Sequence, residues 1–98
     1  MSLIFIHGIN GSQKDFLSIS KRLSNNQTFI NYKNIKSLSF DNIKKKLNTN
    51  TNIIAHSFGG SIIKYILVNN PEIKINNLIC IASPLKFIEN KQKIDPII

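Results

Sequence analysis

Four short apolar runs divide the chain at similar intervals. In chain order they are LIFI at 3–6, TFINY at 28–32, NIIAH at 52–56 and LICIA at 78–82. Short runs that are rich in isoleucine, aromatic and β-branched side chains are typical of strands, and the uninterrupted ones are typical of strands buried on both faces. The chain is therefore predicted to build its core around four strands.

Three segments between these runs predict helices. The first follows Ser12 and Asp15, which have the spacing of a capping box, and is predicted at about 13–24. Its apolar positions recur at helical intervals: Phe16, Ile19 and Leu23. The second is predicted to start after Ser39, and the third spans 58–68 before an Asn-Asn-Pro sequence stops it. The apolar residues on one face of the second helix are Phe40, Ile43 and Leu47.

The alternation of strands and helices predicts an α/β fold. Right-handed crossovers between successive strands imply a parallel four-stranded sheet with three crossover helices packed on its faces. The 98 residues suffice for one domain and are too few for two, so residues 1–98 are predicted to form a single domain. The mixed segment 85–98 predicts no particular element.

The formal net charge of +8 comes almost entirely from lysine, and Arg22 is the single arginine. The lysines are scattered among asparagine and isoleucine residues. The densest cluster, at 44–46, has no aromatic residues interleaved, which indicates a solvated helix face rather than a specific nucleic-acid interface. We expect no specific nucleic-acid partner.

The sequence predicts neither a membrane span nor a secretory signal. No segment approaches the roughly 18 to 20 apolar residues that a membrane helix needs, and no basic region precedes the apolar start MSLIFIHG. A cytoplasmic location is therefore expected.

Cys80 has no second thiol to pair with and no metal-ligand spacing around it, which indicates a small core residue. We expect neither a metal nor a cofactor.

The segment IIAHSFGGSII at 53–63 breaks off a buried strand with small and polar residues. Ala55 stands two residues before Ser57 and Gly59 two residues after it, so AHSFG fits the nucleophile-elbow pattern G-x-S-x-G with alanine in place of the first glycine. Small residues belong where the strand and helix backbones come closest, and Gly60 relieves the next contact. The turn would raise the serine hydroxyl above the strand ends, beside a helix N-terminus that favours negative charge. Ser57 is the candidate nucleophile.

The same turn has other interpretations. Ser57 could serve only as the N-cap of the helix, although a cap alone does not require small residues on both sides. His56 is adjacent to Ser57, and its ring is expected to point away from the hydroxyl. We interpret His56 as a packed or hydrogen-bonded neighbour rather than as a catalytic base.

Acyl transfer also needs donors for the oxyanion of the tetrahedral intermediate, typically two backbone N–H groups. The N–H of Phe58, directly after the candidate nucleophile, is one candidate. The loop HGING after the first strand offers the second, because Gly8 lets the backbone approach and Ile9 can direct its N–H into the site. His7 is expected to fix this loop through hydrogen bonds rather than to take part in the chemistry.

These segments resemble the α/β-hydrolase fold family, and most closely its small lipases and esterases. The resemblance covers roughly residues 3–84 and rests on three pieces in the family's order: IFIHGINGS, NIIAHSFGGS and NNPEIKINNLICIASP. It implies that Ser57 is the nucleophile and that the amides of Phe58 and Ile9 form the oxyanion hole. It also implies that the first helix packs on one face of the sheet and the next two on the other.

The family's triad runs in the order serine, acid, histidine, and here the sequence departs from it. The two histidines both precede Ser57. Glu89 and Asp95 are candidate acids, but with no histidine to orient they are expected to be solvated. The fold is therefore predicted to be a truncated α/β-hydrolase core that ends where the family continues.

Truncation would leave part of the sheet uncovered, because a parallel sheet needs cover on both faces. The LICIA strand would become an open edge. We expect exposed apolar surface there, shielded by the tail at 85–98, by self-association or by a separately encoded C-terminal polypeptide.

The resemblance implies a serine hydrolase that acts on carboxylic esters or related small-molecule acyl compounds, with an incomplete triad in this chain. The alternative is a non-catalytic remnant or binding module that retains the elbow because the fold needs it. Fold alone does not choose between these functions.

Overall fold

A computed structural model describes residues 2–23 and 26–82. Four strands lie in this part of the chain: β1 Ser2–Ile6, β2 Asn26–Ile30, β3 Thr51–His56 and β4 Asn77–Ile81. The α-helices are α1 Leu17–Ser20, α2 Phe40–Lys44 and α3 Phe58–Asn69, and two 3-10 turns lie at Gln13–Phe16 and Ile35–Ser37. No helix among these residues has the length and apolar character needed to cross a bilayer.

The four strands form one sheet in the order β2-β1-β3-β4, and every neighbouring pair is parallel. This arrangement confirms the predicted α/β fold. Because all strands point the same way, the segments that follow β1, β2 and β3 meet at one edge of the sheet, which we call the carboxyl edge. The order places the loop after β1 between those after β2 and β3.

Side chains alternate between the two faces of the sheet, and a different core lies on each. On the first face, Ile4, Ile6 and Ile53 pack with Ile43 of α2 and Ile63 of α3, together with other buried residues. On the second face, the buried cluster is small: Leu3, Phe5 and Phe16. The first helical segment therefore covers one face and the next two helices cover the other, as the resemblance implied.

The second face is only partly covered. Its β4 residues Ile79 and Ile81 are 52% and 42% exposed, and they lie beside Ile54 and His56 in the register of β3 and β4. Within residues 2–23 and 26–82, β4 pairs with β3 alone, so its other edge has no strand partner. The expected apolar exposure and open edge are present; the tail at 85–98 lies outside the described residues.

The first helix differs from the prediction of one helix at 13–24. The capping box is present, with the Ser12 hydroxyl accepting from the Lys14 N–H and the Asp15 carboxylate accepting from the Ser12 N–H. The segment nevertheless begins as a 3-10 turn, and α1 ends at Ser20. Gln27 of β2 explains this end, because its amide donates to the carbonyl oxygens of Ser20 and Leu23 and so takes the place of further helical hydrogen bonds.

Two further predictions need correction. Ile19 and Leu23 are each 39% exposed, so of the three helically spaced residues only Phe16 enters the core. The second strand lies two residues earlier than predicted, at Asn26–Ile30 instead of 28–32. The chain leaves the sheet at Tyr32 because the backbone N–H of that residue donates to the His7 ring and not to a neighbouring strand.

Candidate active site

Ser57 joins β3 to α3 in a strained backbone conformation. Its φ is 54° and its ψ is −125°, a combination that side-chain-bearing residues rarely adopt and that costs about 1 to 3 kcal/mol. Two hydrogen bonds hold it: the Ser57 N–H donates to the Ile81 carbonyl at 2.8 Å, and the Gly60 N–H donates to the Ser57 carbonyl at 3.0 Å. The end of β4 thus anchors the elbow.

The hydroxyl of Ser57 does not cap α3, although Ser57 is the N-cap residue. By contrast, Ser39 caps α2 through a 3.2 Å hydrogen bond from the Asn42 N–H to its hydroxyl. The interpretation of Ser57 as a simple helix cap is therefore wrong. Ser57 is partly exposed at the carboxyl edge. Helix capping does not explain its strained backbone conformation.

The small residues around Ser57 have a steric cause. A Cβ atom on Gly59 would collide with the Ile6 carbonyl oxygen and lie 2.8 Å from the His7 carbonyl oxygen, so α3 begins in direct contact with the end of β1. Ala55 is fully buried in the core below. The pattern that identified the elbow therefore reflects close packing of the strand and helix backbones.

The loop after β1 touches the candidate nucleophile. A Cβ atom on Gly8 would lie 2.9 Å from the Ser57 Cβ and 3.3 Å from its Oγ. The Gly11 N–H donates to the Gly8 carbonyl at 3.0 Å, and Asn10 adopts a positive φ of 65°, so residues 8–11 form a tight turn, which we call the Gly8 loop. Among the described residues, the Ile9 N–H donates no backbone hydrogen bond within this turn. Both segments that the sequence proposed for the oxyanion hole thus adjoin Ser57.

His7 is built into the base of this loop. Its Nδ1–H donates to the Gly8 carbonyl at 2.7 Å, its Nε2 accepts from the Tyr32 N–H at 3.3 Å, and its ring stacks on Tyr32 with 4.3 Å between ring centroids. The Tyr32 hydroxyl donates to the His7 carbonyl at 2.7 Å. Because both ring nitrogens have partners and His7 is 2% exposed, the ring positions the loop and is not placed to accept a proton from Ser57.

The hydrogen-bonded Tyr32 predicts a pH dependence of stability. Burial raises the pKa of Tyr32 from 10.0 to about 12, so the stabilisation from its neutral form is complete below pH 10 and is lost as the pH rises through 12. We expect the free energy of unfolding to fall between these values by up to about 2 kcal/mol because of this one group. The measurement is urea unfolding at several alkaline pH values.

The matched variants are Tyr32→Phe and, as a control, Tyr65→Phe in α3. The Tyr32 variant should lose about 1 kcal/mol at neutral pH with its hydrogen bond and should show a shallower alkaline decline than the wild type. Equal declines in the wild type and in Tyr32→Phe would contradict the assigned role of this hydroxyl.

His56 lies on the second face of the sheet, beside Ile81 in the strand register. Its Nδ1 is buried, with no hydrogen-bond partner among the described residues. The predicted acids Glu89 and Asp95 lie outside those residues. Of the three described acidic side chains, Asp15 belongs to the capping box, Asp41 lies 3.4 Å from the ammonium of Lys44, and Glu72 is exposed and lines the same groove as Asp41. The described residues thus bring together the candidate nucleophile and the loop after β1 without an acid-histidine pair.

Tyr32 is the site residue that sequence reasoning missed. The run TFINY suggested a strand residue, whereas the side chain completes the support of the Gly8 loop. No local pattern links it to His7, since the two are 25 positions apart.

Comparisons with protein-family models, curated proteins and solved structures find no match to this chain.

Proposed function

We propose that this chain is the nucleophile-bearing part of a serine hydrolase that acts on carboxylic esters or related acyl compounds. The observation that carries the proposal is the strained Ser57, partly exposed and uncapped, in contact with the Gly8 loop. A strained backbone conformation persists only where the surrounding structure offsets its cost. Such conformations cluster at functional sites, where the strain is part of the mechanism. The cytoplasmic location expected from the sequence remains part of this proposal.

In the proposed reaction, the Ser57 Oγ attacks the acyl carbon and its proton passes to a base. The oxyanion that forms is stabilised by the N–H groups of Ile9, from the Gly8 loop, and of Phe58, from the start of α3. The ester oxygen then leaves with a proton, and water releases the acyl group from Ser57. None of these steps needs a metal or a cofactor.

The base is the missing part, since His7 supports the loop and His56 lies on the second face. We propose that a complementing C-terminal polypeptide supplies the acid and the histidine; self-association could cover the exposed apolar surface, but a second copy would add only the same two histidines. The exposed Ile79 and Ile81 and the open edge of β4 offer such a partner an apolar surface next to the elbow. Without it, the oxyanion hole and binding would retain an acceleration of about 10³- to 10⁴-fold over water.

The test is labelling by a fluorophosphonate probe, followed by intact-protein mass spectrometry and peptide mapping. We expect slow, stoichiometric modification of Ser57 over hours, and none in Ser57→Ala. Ser61→Ala, one helical turn further along α3, is the control for a buried serine and should label as the wild type does. Modification elsewhere would contradict the assignment of the nucleophile, and labelling within seconds would contradict the absence of a base.

The second candidate is a non-catalytic module, and it is favoured by the lack of a base-positioned histidine among the described residues. In that case the elbow serves only to connect β3 to α3. Ser57→Ala would then leave labelling, stability and ligand binding at their wild-type values, whereas the hydrolase proposal requires the loss of labelling.

A further inference from the structure

The carboxyl edge continues past Ile9 into a groove with two lysines. It has a volume of about 510 Å³ and lies between the Gly8 loop and the segment after β2; its lining residues are Ile9, Asn10, Lys33, Asn34 and Lys36. Asn10 and Lys33 also line an adjoining groove of about 650 Å³ that extends toward Tyr32. We call the first of these the lysine groove. Because β1 lies between β2 and β3, the groove starts at the loop that touches Ser57.

A hydrogen-bonded turn orders the backbone that carries the two lysines. The N–H groups of Lys33 and Asn34 donate to the Ser37 hydroxyl at 3.2 and 3.3 Å, and that hydroxyl donates to the Asn34 carbonyl at 2.8 Å. The Ser37 N–H also donates to the Asn34 side-chain oxygen at 3.0 Å. The turn therefore fixes the backbone on both sides of Lys36 and presents two cations to one groove.

Among the described residues, no acidic side chain balances the charge of this groove. No aspartate or glutamate is among the described residues that line it or the adjoining groove. A second groove with two lysines, Lys44 and Lys45, differs in this respect, because Asp41 and Glu72 line it as well and the Lys44 ammonium lies 3.4 Å from the Asp41 carboxylate. Two uncompensated cations in a concave site attract anions, and asparagine side chains add hydrogen-bond donors.

We infer that the lysine groove binds an anionic group of the substrate, a carboxylate or a phosphate, while the ester carbonyl lies at Ser57. The inference rests on the proposed hydrolase function and adds a substrate class to it: acyl compounds that carry a negative charge beyond the scissile bond. Lys33 and Lys36 are its specificity-determining residues, and the apolar side chain of Ile9 contacts the segment that joins the two ends of the substrate.

The first experiment tests the groove by itself. The wild type, Lys33→Gln/Lys36→Gln and the matched control Lys44→Gln/Lys45→Gln are titrated with inorganic phosphate and with acetate, and backbone amide shifts are followed by NMR. We expect saturable shifts at residues 9–10 and 33–37, with affinity reduced between about threefold and tenfold in the Lys33/Lys36 variant and unchanged in the control. Preference for one anion identifies the group. Equal shifts in all three proteins, or shifts centred on Lys44 and Lys45, would overturn the inference.

The second experiment connects the groove to Ser57. Two phosphonate probes that differ by one terminal carboxylate are compared for the rate at which they modify Ser57. The charged probe should react at least about threefold faster, and this preference should vanish in Lys33→Gln/Lys36→Gln or in roughly 0.5 M salt. Equal rates would overturn the anionic substrate class and leave the hydrolase proposal standing. Failure of both probes to modify Ser57 would refute the hydrolase, while the titration still decides whether the groove binds anions.

Discussion

Replacing Gly59 by alanine is expected to destabilise the fold by about 3 kcal/mol. An alanine in place of glycine normally stabilises a helix by up to about 1 kcal/mol, so the expected sign is the reverse of the usual one. The added Cβ would collide with the carbonyl oxygen of Ile6 and approach that of His7. These atoms belong to the backbone at the end of β1, and they can yield only if the central strand or the elbow moves.

Urea unfolding followed by circular dichroism measures this effect. Asn42→Ala, an exposed position in α2, is the control and should change the free energy of unfolding by no more than about 0.5 kcal/mol. Because Gly59 lies against the backbone of Ile6 and His7, which leads into the Gly8 loop, any folded Gly59→Ala protein should also label more slowly at Ser57. A variant as stable as the wild type would show that α3 does not begin against β1.

The second large effect expected is rescue of the Ser57 reaction by added imidazole. A positioned general base contributes about 10²- to 10⁴-fold to a reaction rate, and the chain has no histidine after Ser57. Free imidazole near neutral pH can accept the serine proton in solution and replace part of that contribution. We expect the Ser57-dependent hydrolysis of p-nitrophenyl acetate to rise at least roughly tenfold at saturating imidazole.

Imidazole also hydrolyses this ester directly, so the relevant quantity is the difference between the wild type and Ser57→Ala at each imidazole concentration. That difference should grow with imidazole and follow the fraction of its neutral form as the pH changes. His7→Gln is unsuitable as a control, because it removes the support of the Gly8 loop. A difference that stays at zero at every concentration would favour the non-catalytic module.

Much of the sheet could be predicted because its signals are local. The runs at 3–6, 52–56 and 78–82 became β1, β3 and β4 with ends shifted by no more than one residue. A buried parallel strand must be apolar on both faces, so composition alone marks it. The elbow was predictable for a related reason, since only small residues fit where β3 turns into α3 against β1. A crowded position admits only small residue types, and the residue type at each position is visible in the sequence.

The remaining features depend on residues that are distant in the chain. The Gln27 amide donates to the carbonyl oxygen of Ser20, where α1 ends, and to that of Leu23, and Tyr32, two residues after the end of β2, stacks on His7. The exposure of Ile79 and Ile81 likewise follows from which face the first helical segment covers. The sequence by itself determined the parallel sheet, α3 and the position of the serine turn, because each is required by burial or by close backbone packing. Only the tertiary structure decided the uncapped hydroxyl of Ser57 and the support of the Gly8 loop, because hydrogen bonds across 25 residues have no local pattern.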